Sequence, residues 1–277
     1  MADQTVTENV TLTPLPASTV SGTVTVGGEP EAGATVAAVG TPVSTVADAA
    51  GRYRLTLPHG DHELKVTPAS RCADGVTVPV TVGADLTRDI ELPRRTDAFG
   101  HTCASAALPY VAGTEKHPLT GDDAAQPVTL PFAFPFYGGT YTGGWISSNG
   151  FVSFAASSTV AGNGPLPSTG APNTAVYPYW DDLVLDDQAG VHTAVVGTAP
   201  DRVFVIEWRN ARFYADAAQR ISFSVLLGEN GSVGYRYRGV DSERDSGIGA
   251  TIGIEGRAAP TRCSTPTTAP PSARVGA

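Results

Sequence analysis

Phe132, Phe134 and Phe136 recur at every second position and constrain the fold more than any other stretch of the chain. Period two is the repeat of an extended strand, so the three rings leave one face toward a core while Ala133 and Pro135 point the other way. Tyr137-Gly138-Gly139 then turns the chain. Trp145 to Phe154 reads as a second strand, kinked at Ser148-Asn149-Gly150, where Asn149 and Gly150 take positive φ at low steric cost. No helical period occurs in this region.

The same alternation runs through the N-terminal third. Val20 to Val26, Ala34 to Val39, Tyr53 to Leu57, His62 to Val66 and Val76 to Val82 alternate apolar and polar residues. Gly27-Gly28, Asp48 to Arg52 and Pro58 to Asp61 separate them as turns. Farther on, Ile221, Phe223, Val225 and Leu227 alternate, Glu229 to Ser232 turn, and Val233, Tyr235 and Tyr237 return, the clearest hairpin in the sequence. With 31 Gly, 22 Pro and 16% charged residues, the composition suits short strands joined by turns. The expected class is all-β: a small seven-stranded β-sandwich over residues 17–93, a linker at 94–108, and a larger antiparallel β-sandwich domain over 109–256. Residues 1–16 read as the tail of a preceding repeat, because the strand-like Glu8 to Leu12 returns as Arg88 to Leu92. Residues 257–277, rich in Pro, Thr and Ala, read as a disordered tail.

A formal net charge of -9 argues against nucleic acid and anionic membranes, both of which need a positive field on the protein. No apolar run approaches the ~20 residues that span a bilayer, and MADQTVTENV has no apolar signal core, so an export signal is expected outside this fragment. Three cysteines are too few for a disulfide scaffold and lack the paired spacing of a zinc site. One bridge and one odd thiol are expected. Cys72 with Cys103 is favoured because that pair would tie a loop of the first domain to the linker; three reduced thiols are the alternative.

Chemistry concentrates at Tyr177-Pro178-Tyr179-Trp180-Asp181-Asp182-Leu183. Rings beside paired carboxylates can stack on a sugar and hold a hard cation, which makes Trp145, Asn149, Tyr179, Trp180, Asp181 and Asp182 candidate ligand-binding residues. In the plainer reading Trp180 fills the core, and Asp181 and Asp182 accept N–H bonds from the Asn149 turn and nearby loops. Asp122, Asp123, Asp186 and Asp187 are weak calcium candidates, since the oxygen spacing of an EF-hand loop is absent. His59-Gly60-Asp61-His62-Glu63 looks metal-like, but Pro58 and Gly60 make it a turn, without the helix a zinc protease motif requires. No nucleophile elbow, phosphate loop or paired-histidine motif is present, so no catalytic residue and no cofactor beyond a possible calcium is expected.

SGTVTVGGEPEAGATVAAVG followed by DAAGRYRLTLPHGDHELKV resembles the carboxypeptidase regulatory-like, transthyretin-like module. FPFYGGTY, WISSNGFVSF, NGPLPSTGAPN, YPYWDDL and the stretch from Arg202 to Arg209 resemble the nidogen-like extracellular β domain of secreted modular proteins from high-GC bacteria. The resemblance implies a fold and a secreted setting, and transfers no catalytic residues. The functional expectation is a non-catalytic accessory region that binds a glycan or cell-surface ligand, or spaces neighbouring domains of a longer chain. A secreted hydrolase with an Asp-rich cleft and a purely structural spacer are the alternatives. Exposed rings near Trp145, Tyr179 or Trp180 are expected of glycan binding, and outward Trp145, Trp180 and Trp208 on one face would favour it, whereas inward rings would favour the spacer.

Overall fold

The computed structural model describes residues 14–105, 108–239 and 249–257, and the backbone of 262–264. The tails expected at 1–16 and 257–277 therefore lie almost wholly outside the described residues, as does the Cys263 thiol. Every regular element among the described residues is a strand. The chain divides into two compact units between Arg94 and Arg95.

The first unit holds β1 (Ala17–Val26), β2 (Glu29–Pro30), β3 (Thr35–Ala38), β4 (Ser44–Val46), β5 (Arg52–Pro58), β6 (Gly60–Thr67), β7 (Val76–Val82), β8 (Leu86–Thr87) and β9 (Ile90–Leu92). β1 is the axis of one sheet, antiparallel to β2 and β5 and parallel to β8 and β9; the other sheet runs β4-β3-β6-β7. Two of these nine strands are the short pieces β2 and β8, which sequence alternation cannot register. The pattern itself holds: Tyr53, Leu55 and Leu57 are buried while Arg52, Arg54 and Thr56 are exposed. Tyr53 sends its hydroxyl to Arg88 O at 2.6 Å, and burial pushes that phenol up to about 12.

The second unit contains β10 (Glu115–Lys116), β11 (Ala125–Phe136), β12 (Gly139–Ser147), β13 (Val152–Ser153), β14 (Ala175–Trp180), β15 (Leu183–Val184), β16 (Gly190–Val196), β17 (Val203–Phe213), β18 (Arg220–Gly228), β19 (Val233–Arg238), β20 (Thr251–Glu255) and β21 (Arg262–Ser264). One sheet runs β10-β16-β17-β18-β19 with β15 on β17, and the other β11-β12-β13-β14-β20-β21. Phe132, Phe134 and Phe136 from one sheet meet Phe204, Ile206, Trp208, Phe223 and Val225 from the other in a shared core. The outer strand β11 pairs only with β12 and carries Pro127, Pro131 and Pro135, which remove donors from an edge that could otherwise recruit another strand. Beyond Glu255 the backbone continues pairing, with Arg262–Ser264 antiparallel to β20.

One sequence expectation changes here, and Trp180 takes the place that the plainer reading gave it, in the core. The segment around Ser148-Asn149-Gly150 is a hairpin turn and not a kink in one strand, since Trp145 pairs with Ser153 and Ile146 with Val152. Tyr179 and Trp180 point inward. All six residues of β14 are buried: Val176 and Tyr179 join the main core, while Ala175, Tyr177 and Trp180 form a second cluster with Phe151 and Leu166. The long Gly- and Pro-rich loop after Phe154 supplies that cover. Leu166 packs onto the rings, Trp180 Nε1 donates to Val160 O at 2.9 Å, and Asn163 Nδ2 donates to Trp180 O at 2.7 Å.

Gly150 is the residue this arrangement tolerates least in altered form. Its φ is 75°, and a Cβ there would lie 1.9 Å from Tyr179 O. Gly150→Ala is expected to destabilise the larger unit by about 3 kcal/mol or more, combining left-handed strain with a backbone clash. A urea denaturation midpoint unchanged from the parent would refute this.

Candidate functional site

Asn149 gathers the turn residues into one place. It is fully buried, and each end of its amide is used: Nδ2 donates to Asp123 Oδ1 at 2.8 Å and to Thr159 O at 3.1 Å, and Oδ1 accepts the Leu183 N–H at 3.1 Å. Ser148 adds a reciprocal clasp, its N–H donating to Ala124 O at 2.8 Å and its Oγ accepting the Ala124 N–H at 3.0 Å. Gly121 and Leu185 exchange backbone bonds in both directions. The turn at 121–124 is thereby fixed against the loop at 181–185.

This fixation brings together Asp122, Asp123 and Asp182, which are distant in sequence. One carboxylate oxygen from each lies within 4.8 Å of the others; Asp122 and Asp123 are exposed and Asp182 half-buried. Ca²⁺ binds oxygens at about 2.3–2.6 Å, so ligands around one ion can stand up to about 5 Å apart, and the three oxygens fit within that sphere. Sequence reading had placed these residues in two separate groups. Asp181 is turned away from that role, buried, with Oδ1 accepting the Asp182 N–H at 2.8 Å. The Asn149 side chain itself accepts from the aspartate loop, at the Leu183 N–H.

The remaining candidates disperse. Asp186 sits between two arginines, 2.6 Å from Arg220 Nη2 and 3.6 Å from Arg212 Nε, and hydrogen bonding from Arg220 outweighs desolvation to hold its carboxyl below the usual range. It is the ion-pair partner of both arginines. Asp187 is exposed. Trp145 is half-buried on β12, opposite Pro127 and Ser153. Tyr179 and Trp180, 0% and 5% exposed, offer no face to a sugar. Cys72 and Cys103 are disulfide-bonded.

Two buried glutamates escaped sequence analysis because they occupy ordinary strand positions. Glu207 is fully buried and accepts from Tyr110 Oη at 3.0 Å, the Gly113 N–H at 2.8 Å and Arg209 Nη2 at 2.7 Å, with Arg238 Nη2 3.2 Å away. Burial pushes its carboxyl up, but these hydrogen bonds and the Arg209 charge together hold it below the usual glutamate range. Glu255, 3% exposed, accepts the Ser168 N–H at 2.5 Å and has Tyr177 Oη at 3.2 Å; burial prevails and pushes its carboxyl up.

The two carboxyls have opposite consequences for pH. A depressed group stabilises fully above its unfolded pKa and loses that contribution as pH falls through the folded value, whereas a raised acid loses its contribution as pH rises through the folded value. Glu207→Gln is expected to cost about 3 kcal/mol at neutral pH, since two arginines lose their partner, and progressively less as pH falls below the usual glutamate range. Glu255→Gln, which mimics the protonated acid, should gain stability relative to the parent between pH 5 and 8, values spanning the region above about 4.3 where an ordinary glutamate is ionised. Denaturation curves across pH check both, and a flat difference for either variant would contradict its assignment.

Comparison with known proteins bears on the frame around this site. Residues 19–93 match the carboxypeptidase regulatory-like domain, and residues 100–276 match the family described as NIDO related. No curated protein matches the chain. Among solved structures, an N-terminal interface mutant of a type II cohesin-X-dockerin complex from Acetivibrio cellulolyticus aligns at 27% identity over 27% of this chain and 56% of that one, with a TM-score of 0.25. The chain thus spans little more than half of that structure's length. DUF3823 family proteins from Parabacteroides merdae and Bacteroides ovatus align at 13% and 12% identity, over 80% and 91% of this chain and 97% of each of theirs, with TM-scores of 0.25 and 0.26. The match over residues 100–276 takes in well over half the sequence, and the chain belongs to the NIDO-related family, with a carboxypeptidase regulatory-like domain ahead of it.

Proposed function

We propose that this chain is a non-catalytic accessory region of a secreted multidomain protein, whose larger unit is a rigid β scaffold locked at one end by calcium. The observation that carries this reading is where the reactive groups lie. Trp180, Trp208, Tyr177 and Tyr179 fill the interior, Glu207 and Asp186 are held by arginines, and Glu255 anchors the long loop. Groups held this way serve cohesion, whereas a hydrolase needs an acid and a base facing a common space. The disulfide-bonded cysteines and the family membership support an oxidising, extracellular setting. The buried rings favour spacing of neighbouring domains over glycan stacking at Tyr179 and Trp180.

Calcium is favoured at Asp122, Asp123 and Asp182 because these carboxylates converge from two loops whose backbones are already fixed. A cation there would relieve their mutual repulsion and bind the native state alone. With affinity in the range of extracellular modules, millimolar Ca²⁺ should raise the melting temperature by about 2–4 °C. Mg²⁺, which demands a tighter octahedral shell, should do much less. Asp122→Asn combined with Asp182→Asn should abolish the calcium increment. An increment that survives the double substitution would sink the site, and turnover of polysaccharide or peptide substrates by the purified chain would sink the accessory reading.

A further inference from the structure

The outward face of the β17–β18–β19 sheet is unusually rich in arginine for a chain of net charge -9. Arg209 and Arg238 share Glu207, and Arg212 and Arg220 share Asp186, so four guanidinium groups stand against two carboxylates, with Asp187 near Arg220. Arg236 joins them from the same face of β19. Its Nη1 donates to Tyr235 O at 2.8 Å, its Nε is buried without an acceptor, and no carboxylate among the described residues pairs with it. Directly across the strand pair is Ser224, fully buried, whose Oγ also has no hydrogen-bond partner. Both atoms are enclosed by the protein, so Arg236 adds positive charge to this face without offering its Nε to solvent.

Two positions along each strand from this pair, at Ser222 and Arg238, lies a surface depression of ≈ 360 Å³, lined also by Asn210, Gln219 and Arg220 among others; Ser224 and Arg236 are not part of its lining. Its walls are positioned before any ligand arrives. Asn210 has φ 56° at a bulge in β17, its N–H bonded to Ser222 Oγ at 2.9 Å, its amide to Gln188 O at 3.0 Å, and its carbonyl accepting from Arg220 Nη1 at 3.0 Å. Asparagine adopts positive φ more readily than other non-glycine residues, and here it fits the bulge in β17. Arg220 is clamped by both oxygens of Asp186. Arg238 reaches Glu207 through Nη2, rests over the Tyr110 ring at 4.3 Å, and leaves 48% of its side chain exposed.

We propose that this depression binds an acidic sugar, with Arg238 taking the carboxylate of a uronate in an extracellular polysaccharide while Arg220, its fork closed by Asp186, and Arg236 on the neighbouring stretch of β19 add positive charge beside it. A fixed guanidinium fork matches a carboxylate in two parallel bonds. The amides of Asn210 and Gln219 and the hydroxyl of Ser222 suit the hydroxyls of a sugar, and apolar pockets for peptide side chains are missing from this lining. The inference deepens the accessory reading by giving it a ligand, and its failure would leave the scaffold role and the calcium site intact.

The test is titration of the full chain with polygalacturonate in EDTA-containing buffer, with dextran as a neutral control and polyglutamate as an acidic peptide control. Polygalacturonate alone should bind, more weakly as salt rises. Arg236→Gln with Arg238→Gln should weaken it about tenfold or more, as expected for loss of charge-assisted bonds, while near-UV circular dichroism stays native. Arg238→Lys, which keeps the charge and loses the fork, should fall between. The proposal is overturned if polygalacturonate does not bind, if dextran binds equally, if polyglutamate is preferred, or if a natively folded double variant binds unchanged. Should the double variant not fold, loss of binding in Arg238→Gln alone decides the matter in the same way.

Discussion

Two sheets close over one another only if the polar atoms carried between them are answered, and in the larger unit aromatic side chains do this. Trp208 is fully buried between the sheets, and its Nε1 donates to Ser147 O on the facing sheet at 2.8 Å. Tyr235 and Tyr237, on β19, repeat the device by donating to Gly253 O at 2.6 Å and Pro178 O at 2.7 Å. Each ring supplies a large apolar area and a single donor at its tip, so the same residue drives closure and fixes the offset of one sheet against the other. An unanswered donor in this interior would cost about 1–3 kcal/mol, comparable with what burial of a large side chain contributes. The positions of these donors are therefore as binding on the fold as the alternation of phenylalanines.

The Trp208 bond ends on the residue that opens the Ser147–Gly150 turn, which links packing to the acidic site. Ser147 N–H is bonded to Phe151 O, Asn149 is buried beside it, and Gly150 passes too close to Tyr179 for any side chain. With the turn held by the core, the Asn149 amide is pinned, and with it the separation of Asp123 from Leu183. Asp122, Asp123 and Asp182 converge because the interior beneath them admits one arrangement. An ion bound there would report on the same network that seats Trp208.

Much of this was legible in the sequence, and what was not has a physical reason. Phe132, Phe134, Phe136 and the hairpin from Ile221 to Tyr237 announced their strands because side-chain alternation is local and period two is unambiguous. The all-β class followed from such stretches, and the two family resemblances from motif blocks such as WISSNGFVSF and DAAGRYRLTLPHGDHELKV. Two readings of Trp180 stayed open because a Gly- and Pro-rich loop has no periodicity to show that it folds back over a strand; Leu166, Val160 and Asn163 make that cover from up to 20 residues away. Pairing Asp182 with Asp122 required contacts between loops about 60 residues apart, which no spacing rule reaches. Glu207 had no local signal in VFVIEWRN, because the segment carrying Tyr110 and Gly113, almost 100 residues upstream, is what covers it.

The same comparison explains why the outward face of β17, β18 and β19 holds more chemistry than the core. Inside, each polar tip has one partner and the geometry is closed. Outside, Glu207 and Asp186 each serve two arginines: Asp186 takes Arg220 with both oxygens while Arg212 stands 3.6 Å off, and Arg238, 48% exposed, reaches Glu207 through one nitrogen. A purely structural face could have reached neutrality with one arginine for each carboxylate. The carboxylates instead act as clamps, fixing guanidinium groups at the rim while leaving donors over, and that is the arrangement by which a scaffold acquires affinity for an anion without exposing a hydrophobic surface.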